Sequence, residues 1–320
     1  MDLKLLENIV AIADYENISK AAEALFITQS GLNQQLIKLE NDLGTPLFYR
    51  TKRHLHPTEA GRIYLESARE ILKIKRCAYT RIQDLADSTI GEIHFGLPFE
   101  HGVEMFISIS PAFNQKYPGV RVHLAEQKVS KQLDMIRSGQ LDMAFVMLHE
   151  HDKNENQYIP LCREELVLGC PIHHPLAAYA APPGQPLTIL PLSLFKNEKF
   201  AFMFPGSTMR SVIDPLFFKS GFQPDILFET TMNFALAQLV SNGLCCTILP
   251  QSYARDTTNT AWFRLEDEPS WMWEITHSKN MVLSEASWYL IELSKQYAAC
   301  MKKHWEAHQL GIPDRPLKLK

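Results

Sequence analysis

The chain lacks the features that would export it, anchor it or give it chemistry of its own. No apolar run approaches the ~20 residues a bilayer-spanning helix needs, so no membrane partner is expected. The opening stretch, MDLKLLENIVAIADYE, mixes acidic residues among its apolar ones and offers no small-residue cleavage site, unlike a secretory signal. Six cysteines keep no regular spacing. Without an export signal they read as reduced thiols of a cytoplasmic protein, not a disulfide framework. Nucleophile elbow, phosphate loop, GxGxxG and zinc-protease signatures are all missing. The expectation is a protein that is not an enzyme, with no catalytic residues, no cofactor and no metal.

What is present is the composition of a globular protein, 46% hydrophobic and 21% charged, over 320 residues. That length supports about two or three cores. A net charge of −4 argues against a bulk polyanion binder. The charge is unevenly spread, however. Residues 50–81 carry nine Lys/Arg against three Glu, a local balance of +6, which is the footprint of a focused basic surface.

Residues 28–44, TQSGLNQQLIKLENDLG, organise the N-terminal part. At about 100° per residue, Leu32, Leu36, Leu39 and Leu43 share one side of a helix. Ser30, Gln34 and Lys38 lie opposite or flank them, with Asn33 near the edge. Thr28 is a good N-cap, and Gly44 suits the left-handed residue past a helix end. The outer face therefore carries amides and a hydroxyl with few carboxylates, a surface able to meet base edges and phosphates. Alone, such a helix is also what any amphipathic surface helix looks like. Its surroundings add weight. Leu3, Leu6, Val10 and Ala13 form a first helical stripe, and Asn17 can cap a short helix over 18–25. A four-residue turn, 26–29, then leads into the polar-faced helix, the order of a helix-turn-helix. Arg50, Lys52 and Arg53 follow in a turn-like basic tongue with His54 and His56, suited to phosphates or the minor groove.

The motifs Ile12-Ala13, Ile18-Ser19-Lys20-Ala21-Ala22-Glu23-Ala24-Leu25, Thr28-Gln29-Ser30, Leu39-Glu40-Asn41-Asp42-Leu43-Gly44, Leu47-Phe48-Tyr49-Arg50-Thr51 and Thr58-Glu59-Ala60-Gly61 keep their order and spacing over about 60 residues. This stretch resembles the winged helix-turn-helix of LysR-type transcriptional regulators. The resemblance implies double-stranded DNA as a partner, with Thr28, Gln29, Ser30, Asn33, Gln34, Lys38, Arg50, Lys52 and Arg53 at the interface. The family usually has Ser then Arg where this chain has Asn33 and Gln34, and a basic or polar residue at Ile37. The operator sequence therefore stays open.

Residues 58–86 contain no proline and one glycine, Gly61, near the start. Tyr64, Ala68, Ile71, Ala78, Ile82 and Leu85 follow alternating 4 and 3 spacings, with Lys75 interrupting, and Leu65, Leu72, Tyr79 and Ala86 recur at sevens. A helix of this length, roughly 43 Å, with two apolar stripes calls for a partner. The resemblance implies pairing with a second copy, as a homodimer or homotetramer whose heads read two half-sites.

From residue 90 onward, strand and helix patterns alternate, and the order strand–helix–strand–helix–strand occurs twice, over 91–147 and 200–250. The fold class expected is α/β: a winged helix-turn-helix (residues 1–60), a linker and dimerisation helix (58–88), then a two-lobed effector domain (90–305) and a tail (306–320). The first lobe takes about 90–163 and 266–303, the second about 164–265. The resemblance implies a periplasmic-binding-protein-like arrangement with a small-molecule effector between the lobes. Parallel sheets bind ligands beyond the carboxyl ends of their strands, where helix N-termini converge. That rule selects Phe99, Glu100, His101, Ser130, Met147, Ser207, Thr208, Met209, Asn233, Phe234 and Thr247. Where the family often has Ser or Thr after the first strand, this chain has Pro98-Phe99-Glu100-His101, which points away from a simple anionic effector.

Other signals compete. His149-Glu150-His151-Asp152 has metal-binding residue types, yet adjacent ligands on a polar loop are usually only solvated. Cys162 and Cys170 could form a redox pair, but both flank strand-like segments where a small buried thiol is ordinary. Trp271 and Trp273 alternate with Met272 as strand packing residues. The alternative to a DNA-binding regulator is an enzyme or transport-type solute binder on the same lobes, which would need a catalytic constellation or an export signal.

Overall fold

The computed structural model describes residues 2–50, 55–85 and 90–313, the side chains of residues 50, 80, 81 and 83–85 excepted. Lys52, Arg53, the expected boundary at 87–89 and the tail beyond 313 lie outside the described residues. Two compact units partition the chain: Met1–Ser88 with Asp134–Gln140 and Asn280–Ser284, and the remainder from Thr89 to Lys320.

The first unit opens with α1 (Leu3–Tyr15), α2 (Ile18–Ala24) and α3 (Gln29–Leu43). Each starts on a side-chain cap. Asp2 accepts from the Lys4 N–H, Asn17 from Lys20 and Thr28 from Gly31, satisfying donors that the helix cannot. Gly44 closes α3 at φ 70°, a conformation cheap only without a Cβ. Leu32 and Leu36 are fully buried against Leu6, Ile9, Ile12 and Ala21. Leu39 is partly buried, and Leu43, in the last turn, is 47% exposed. The fully buried stripe thus covers little more than one turn, where the leucine spacing suggests about three. Asn8 donates to Gln35 Oε1 at 2.6 Å and ties α1 to α3.

A two-stranded antiparallel hairpin, β1 (Phe48–Arg50) and β2 (Leu55–Pro57), follows α3. The helix α4 (Glu59–Leu85) then runs for 27 residues. The Thr58 hydroxyl donates to the Pro46 carbonyl at 2.8 Å and accepts from the Gly61 N–H at 3.0 Å. A Cβ on Gly61 would stand 2.0 Å from the Leu47 carbonyl oxygen, so only glycine lets α4 pass the backbone just before β1. The first half of α4 lies on its own domain: Leu65 and Ala68 are buried in that core, and Tyr64, Ile71 and Leu72 pack against it. Arg69 pairs with Asp14 at 2.6 Å and Lys75 with Glu7 at 2.9 Å. Ile63, Ile74, Tyr79 and Ile82 remain exposed.

The second unit begins β3 (Ile90–Leu97), α5 (His101–Lys116), β4 (Gly119–Glu126), the start of α6 (Val129–Arg137), whose residues from Asp134 on belong to the first unit, and β5 (Met143–Leu148). β4 and β5 flank β3, both parallel to it. Every residue of β5 is buried, as a strand covered on both faces requires. Helix α5 continues through Pro111; the Ile107 carbonyl, which Pro111 cannot serve, accepts from the Ser110 hydroxyl at 3.2 Å.

The long strand β6 (Gln157–Pro171) then leads to β7 (Ile189–Leu190), β8 (Lys199–Met203), α7 (Thr208–Lys219), β9 (Asp225–Thr230), α8 (Asn233–Ser241), β10 (Thr247–Pro250), β11 (Thr260–Leu265), β12 (Ser270–His277) and α9 (Glu285–Glu306). β8 and β9 are parallel, and Phe200 bridges to Cys246 beside β10. The main sheet has the order β4-β3-β5-β12-β6-β11-β7, with β10 also on β6. β6 therefore belongs to both lobes. Its first half pairs with β12 and its second with β10 and β11, which is why it is 15 residues long where a strand over 166–170 is all the apolar run suggests.

Candidate functional site

Two surfaces gather the residues picked from the sequence. On α3, Gln29, Ser30, Gln34 and Lys38 are exposed and Asn33 is half-buried, on the side away from Leu32 and Leu36. Thr28 is committed through its oxygen, which accepts from Gly31 at 3.2 Å, leaving its O–H free to donate. No carboxylate occurs in the first turn of α3, so no acidic side chain there offsets the partial positive charge of the helix start.

The second surface is the cleft between the lobes. Pro98, Phe99, Ser130, Met147, Gly206, Ser207, Thr208, Met209 and Asn233 line it, joined by Gln127, Lys128, Met203, Phe204 and Trp271. Topology explains the gathering: β3, β4, β5 and β8 all end here, and α6, α7 and α8 all begin here. Ser207 caps α7, accepting from the Arg210 N–H at 3.3 Å. Across the mouth, Lys128 Nζ sits 3.9 Å over the Phe204 ring. A larger depression of about 450 Å³ lies elsewhere, among Arg163, Glu165, Arg264, Lys302 and Trp305. No helix N-terminus of eight residues or more contributes to it, and its Arg264 is already paired with Glu165 at 2.8 Å.

Four of the eleven residues picked for the cleft do not line it. Glu100, at φ 65°, turns its carboxylate onto α8 and accepts from the Asn233 and Phe234 N–H groups at 2.7 and 3.1 Å. The carboxylate that seemed to disfavour an anionic ligand is thus spent inside the protein, as the cap of a helix from the other lobe. Phe234 offers that N–H while its side chain is 58% exposed. Thr247 is fully buried and donates to the Ala201 carbonyl at 2.7 Å, stitching β10 beside β8. His101 is buried, with Nε2 2.7 Å from Ser252 Oγ and 3.5 Å from Glu164 Oε2.

Glu164 is the residue that sequence reasoning missed. It is fully buried and accepts from Ser252 N–H at 3.0 Å and from the indole N–H groups of Trp271 at 2.8 Å and Trp273 at 2.6 Å. Burial pushes its carboxyl up, but attraction to His101 and the hydrogen bonds outweigh this and hold it below the ordinary value. Trp271, read from the sequence as packing alone, also walls the cleft. The only sequence signal was an acid in a strand-like run, since the Trp residues it meets are 107 and 109 positions away.

The competing signals resolve geometrically. Cys162 and Cys170 lie on the same strand, β6, about 26 Å apart at ~3.3 Å per residue, while a disulfide needs Cα atoms within about 7 Å. Burial raises both thiols, Cys170 up to about 12, so neither is a ready thiolate. In the 149–152 loop, Glu150 pairs with Lys153 at 2.7 Å and Asp152 accepts from Ser211 at 3.1 Å.

Comparison with known proteins gives this geometry a family. Residues 3–62 match the profile described as bacterial regulatory helix-turn-helix protein, lysR family, and residues 86–299 match the LysR substrate binding domain. Among curated relatives, the uncharacterised HTH-type transcriptional regulator YybE of Bacillus subtilis is 29% identical, over 83% of this chain and 88% of its own. The transcriptional dual regulator OxyR of Escherichia coli is 26% identical over 78% and 79%. Among solved structures, a full-length point variant of OxyR from Pseudomonas aeruginosa superposes with a TM-score of 0.66 at 20% identity, over 92% of this chain and 96% of its own. The effector-binding domain of QuiR in complex with shikimate superposes with 0.55 at 22%, over 67% and 99%. No described helix is long and apolar enough to cross a membrane.

Proposed function

This chain belongs to the LysR family of bacterial DNA-binding transcriptional regulators, and from that premise we propose that it is a cytoplasmic, non-catalytic switch whose operator binding responds to a small organic effector held in the cleft. The observation that carries the reading is the convergence of α6, α7 and α8 N-termini on one cleft walled by Phe99, Met147, Met209 and Trp271. At α6 and α7, free N–H groups and positive helix ends suit an acidic or carbonyl group, those of α8 being taken by Glu100, and apolar walls suit a small carbon skeleton. Because Glu100 is tied to α8, a carboxylate-bearing effector is favoured, with Ser130, Ser207 and Thr208 as its nearest polar partners. Shikimate, the ligand named for QuiR, is of that class.

In this reading residues 1–60 form the DNA-binding head, 58–88 the linker that pairs two copies, and 90–305 the effector domain. Gln29, Ser30, Asn33 and Gln34 read base edges, Lys38 and Thr28 approach phosphates, and Arg50, Lys52 and Arg53 hold the backbone or minor groove. The test is binding of the full chain to its own upstream DNA at two salt concentrations. Phosphate contacts by several basic residues make affinity fall steeply with salt. Asn33→Ala should change preference among operator variants at one base pair by about 1–3 kcal/mol. Lys52→Ala should weaken all sequences alike and flatten the salt slope. If both variants behave identically, readout does not reside on α3.

A further inference from the structure

We propose that Glu92, His94 and His123 form a binding site for one first-row transition-metal ion of the Zn²⁺, Ni²⁺ or Co²⁺ type. The three residues come from adjacent parallel strands. His94 of β3 stands directly opposite His123 of β4, and Glu92, two residues before His94, shares its face of the sheet because side chains alternate. One ligand atom from each lies within 4.8 Å of the other two. A tetrahedral ion with bonds of ~2.0–2.1 Å needs its donors about 3.4 Å apart, a distance that small side-chain rotations reach. Among the described residues this is the only such trio of His, Cys, Asp or Glu.

The imidazoles behave as a site in waiting. Their rings are stacked, with centroids 4.9 Å apart and planes 13° from parallel. His94 Nδ1 and His123 Nε2 are both shielded from solvent and make no hydrogen bond. His123 Nε2 faces Glu92 Oε2 at 3.6 Å, beyond hydrogen-bond range. A shielded nitrogen without a partner is costly. A divalent cation gives His123 Nε2 the partner it lacks and balances the Glu92 carboxylate beside it.

A second carboxylate stands where an orienting group belongs. Asp142 is buried, accepts from the His94 backbone N–H at 2.7 Å and places Oδ2 3.4 Å from His94 Nδ1. Ligating histidines commonly hand their other ring N–H to such a carboxylate, which fixes the tautomer; this arrangement leaves His94 Nε2 for the metal. The side chains of Glu92, His94 and His123 are 58%, 32% and 40% exposed, so an ion can enter and water can complete its coordination. Two imidazoles and one carboxylate disfavour Mg²⁺ and Ca²⁺, which prefer oxygen alone. The ion would clasp β4, at the edge of the sheet, to β3. Those strands run on into Pro98, Phe99, Gln127 and Lys128 of the cleft.

The experiment is titration of the purified full chain, stripped with chelator, with Co²⁺ followed by visible absorption, then displacement by Zn²⁺. One Co²⁺ per chain is expected, with a ligand-field band in the visible. Affinity should fall at least tenfold in His123→Ala and in Glu92→Gln, both on the exposed side of the sheet, and stay unchanged in His149→Ala. Circular dichroism identifies any variant that fails to fold, and Glu92→Gln, which keeps size and shape, then decides. Absence of a saturable Co²⁺ band in the wild-type chain, or a band that survives both His123→Ala and Glu92→Gln, overturns the site.

Discussion

At the residue scale, single atoms decide what a position tolerates. Gly61 is the clearest case. Its backbone is ordinary helix, yet a Cβ would meet the Leu47 carbonyl at 2.0 Å, and backbone cannot swing aside as a side chain can. Gly61→Ala should therefore destabilise the N-terminal domain by about 1–3 kcal/mol, the usual range for overpacking, instead of stabilising the helix as alanine normally does. Urea denaturation checks the sign. Glu164 poses a different problem, a buried charge whose three hydrogen-bond donors and facing His101 exist only in the fold. Its folded carboxyl lies below the ordinary value, so its contribution is present above the unfolded carboxylate range and is lost as pH falls through the lower, folded value. Glu164→Gln leaves the buried N–H groups of Ser252, Trp271 and Trp273 without their charged acceptor, which costs about 1–3 kcal/mol at neutral pH, and should flatten the acid limb of the stability curve. A mutant as stable as wild type at pH 7 and equally acid-sensitive would refute the role given to this carboxylate. Neither fact was legible in the sequence: Gly61 looked like part of a motif, and Glu164 like any acid, because both depend on atoms from distant segments.

At the element scale, far more was legible, because caps and periodicity act locally. Thr28, Asn17 and Gly44 mark helix ends where the structure has them. Repeated strand–helix order requires a parallel sheet, and β3, β4 and β5 comply. What periodicity could not divide was the apolar surface of α4. The stripe through Tyr64, Ala68 and Ile71 packs on its own domain, since a stripe looks the same whether it faces its own core or a partner. The side left for a second copy carries Ile63, Ile74 and Ile82, exposed at 61%, 68% and 64%. Ile74→Asp with Ile82→Asp should therefore abolish dimerisation through this helix while leaving the head folded, because carboxylates buried at a helix–helix seam cost several kcal/mol. Ile71→Asp is expected instead to unfold the head. Light scattering separates the two outcomes: a double mutant that keeps the wild-type mass and cooperative operator binding places the seam elsewhere.

At the scale of the whole molecule, the cleft has to change shape to work. It measures about 90 Å³, room for a few waters, whereas a ligand-filled site holds about 300–1,000 Å³. An effector therefore has to part the lobes, and what resists parting is on view: Glu100 from the first lobe gripping the Asn233 and Phe234 N–H groups of the second, and Lys128 lying over Phe204. Helix caps of this kind contribute about 0.5–2 kcal/mol. Releasing it raises the population of the open form, and apparent affinity rises with that population. Glu100→Gln should thus bind a given effector up to about tenfold more tightly, whereas Thr208→Ala, which removes a hydroxyl from the cleft wall without touching the latch, should bind it more weakly. Neither change reaches α3, so effector-free DNA binding should stay near wild type. For the ligand to act as a switch it must favour one arrangement of the heads, since equal affinity for both shifts nothing. Titration of a metabolite found by thermal shift, followed by footprinting on the operator, tests whether effector binding moves the DNA-binding heads. A tight ligand that leaves footprint length and transcription unchanged separates binding from switching, and Glu100→Gln binding more weakly than wild type means that the lobes need not part.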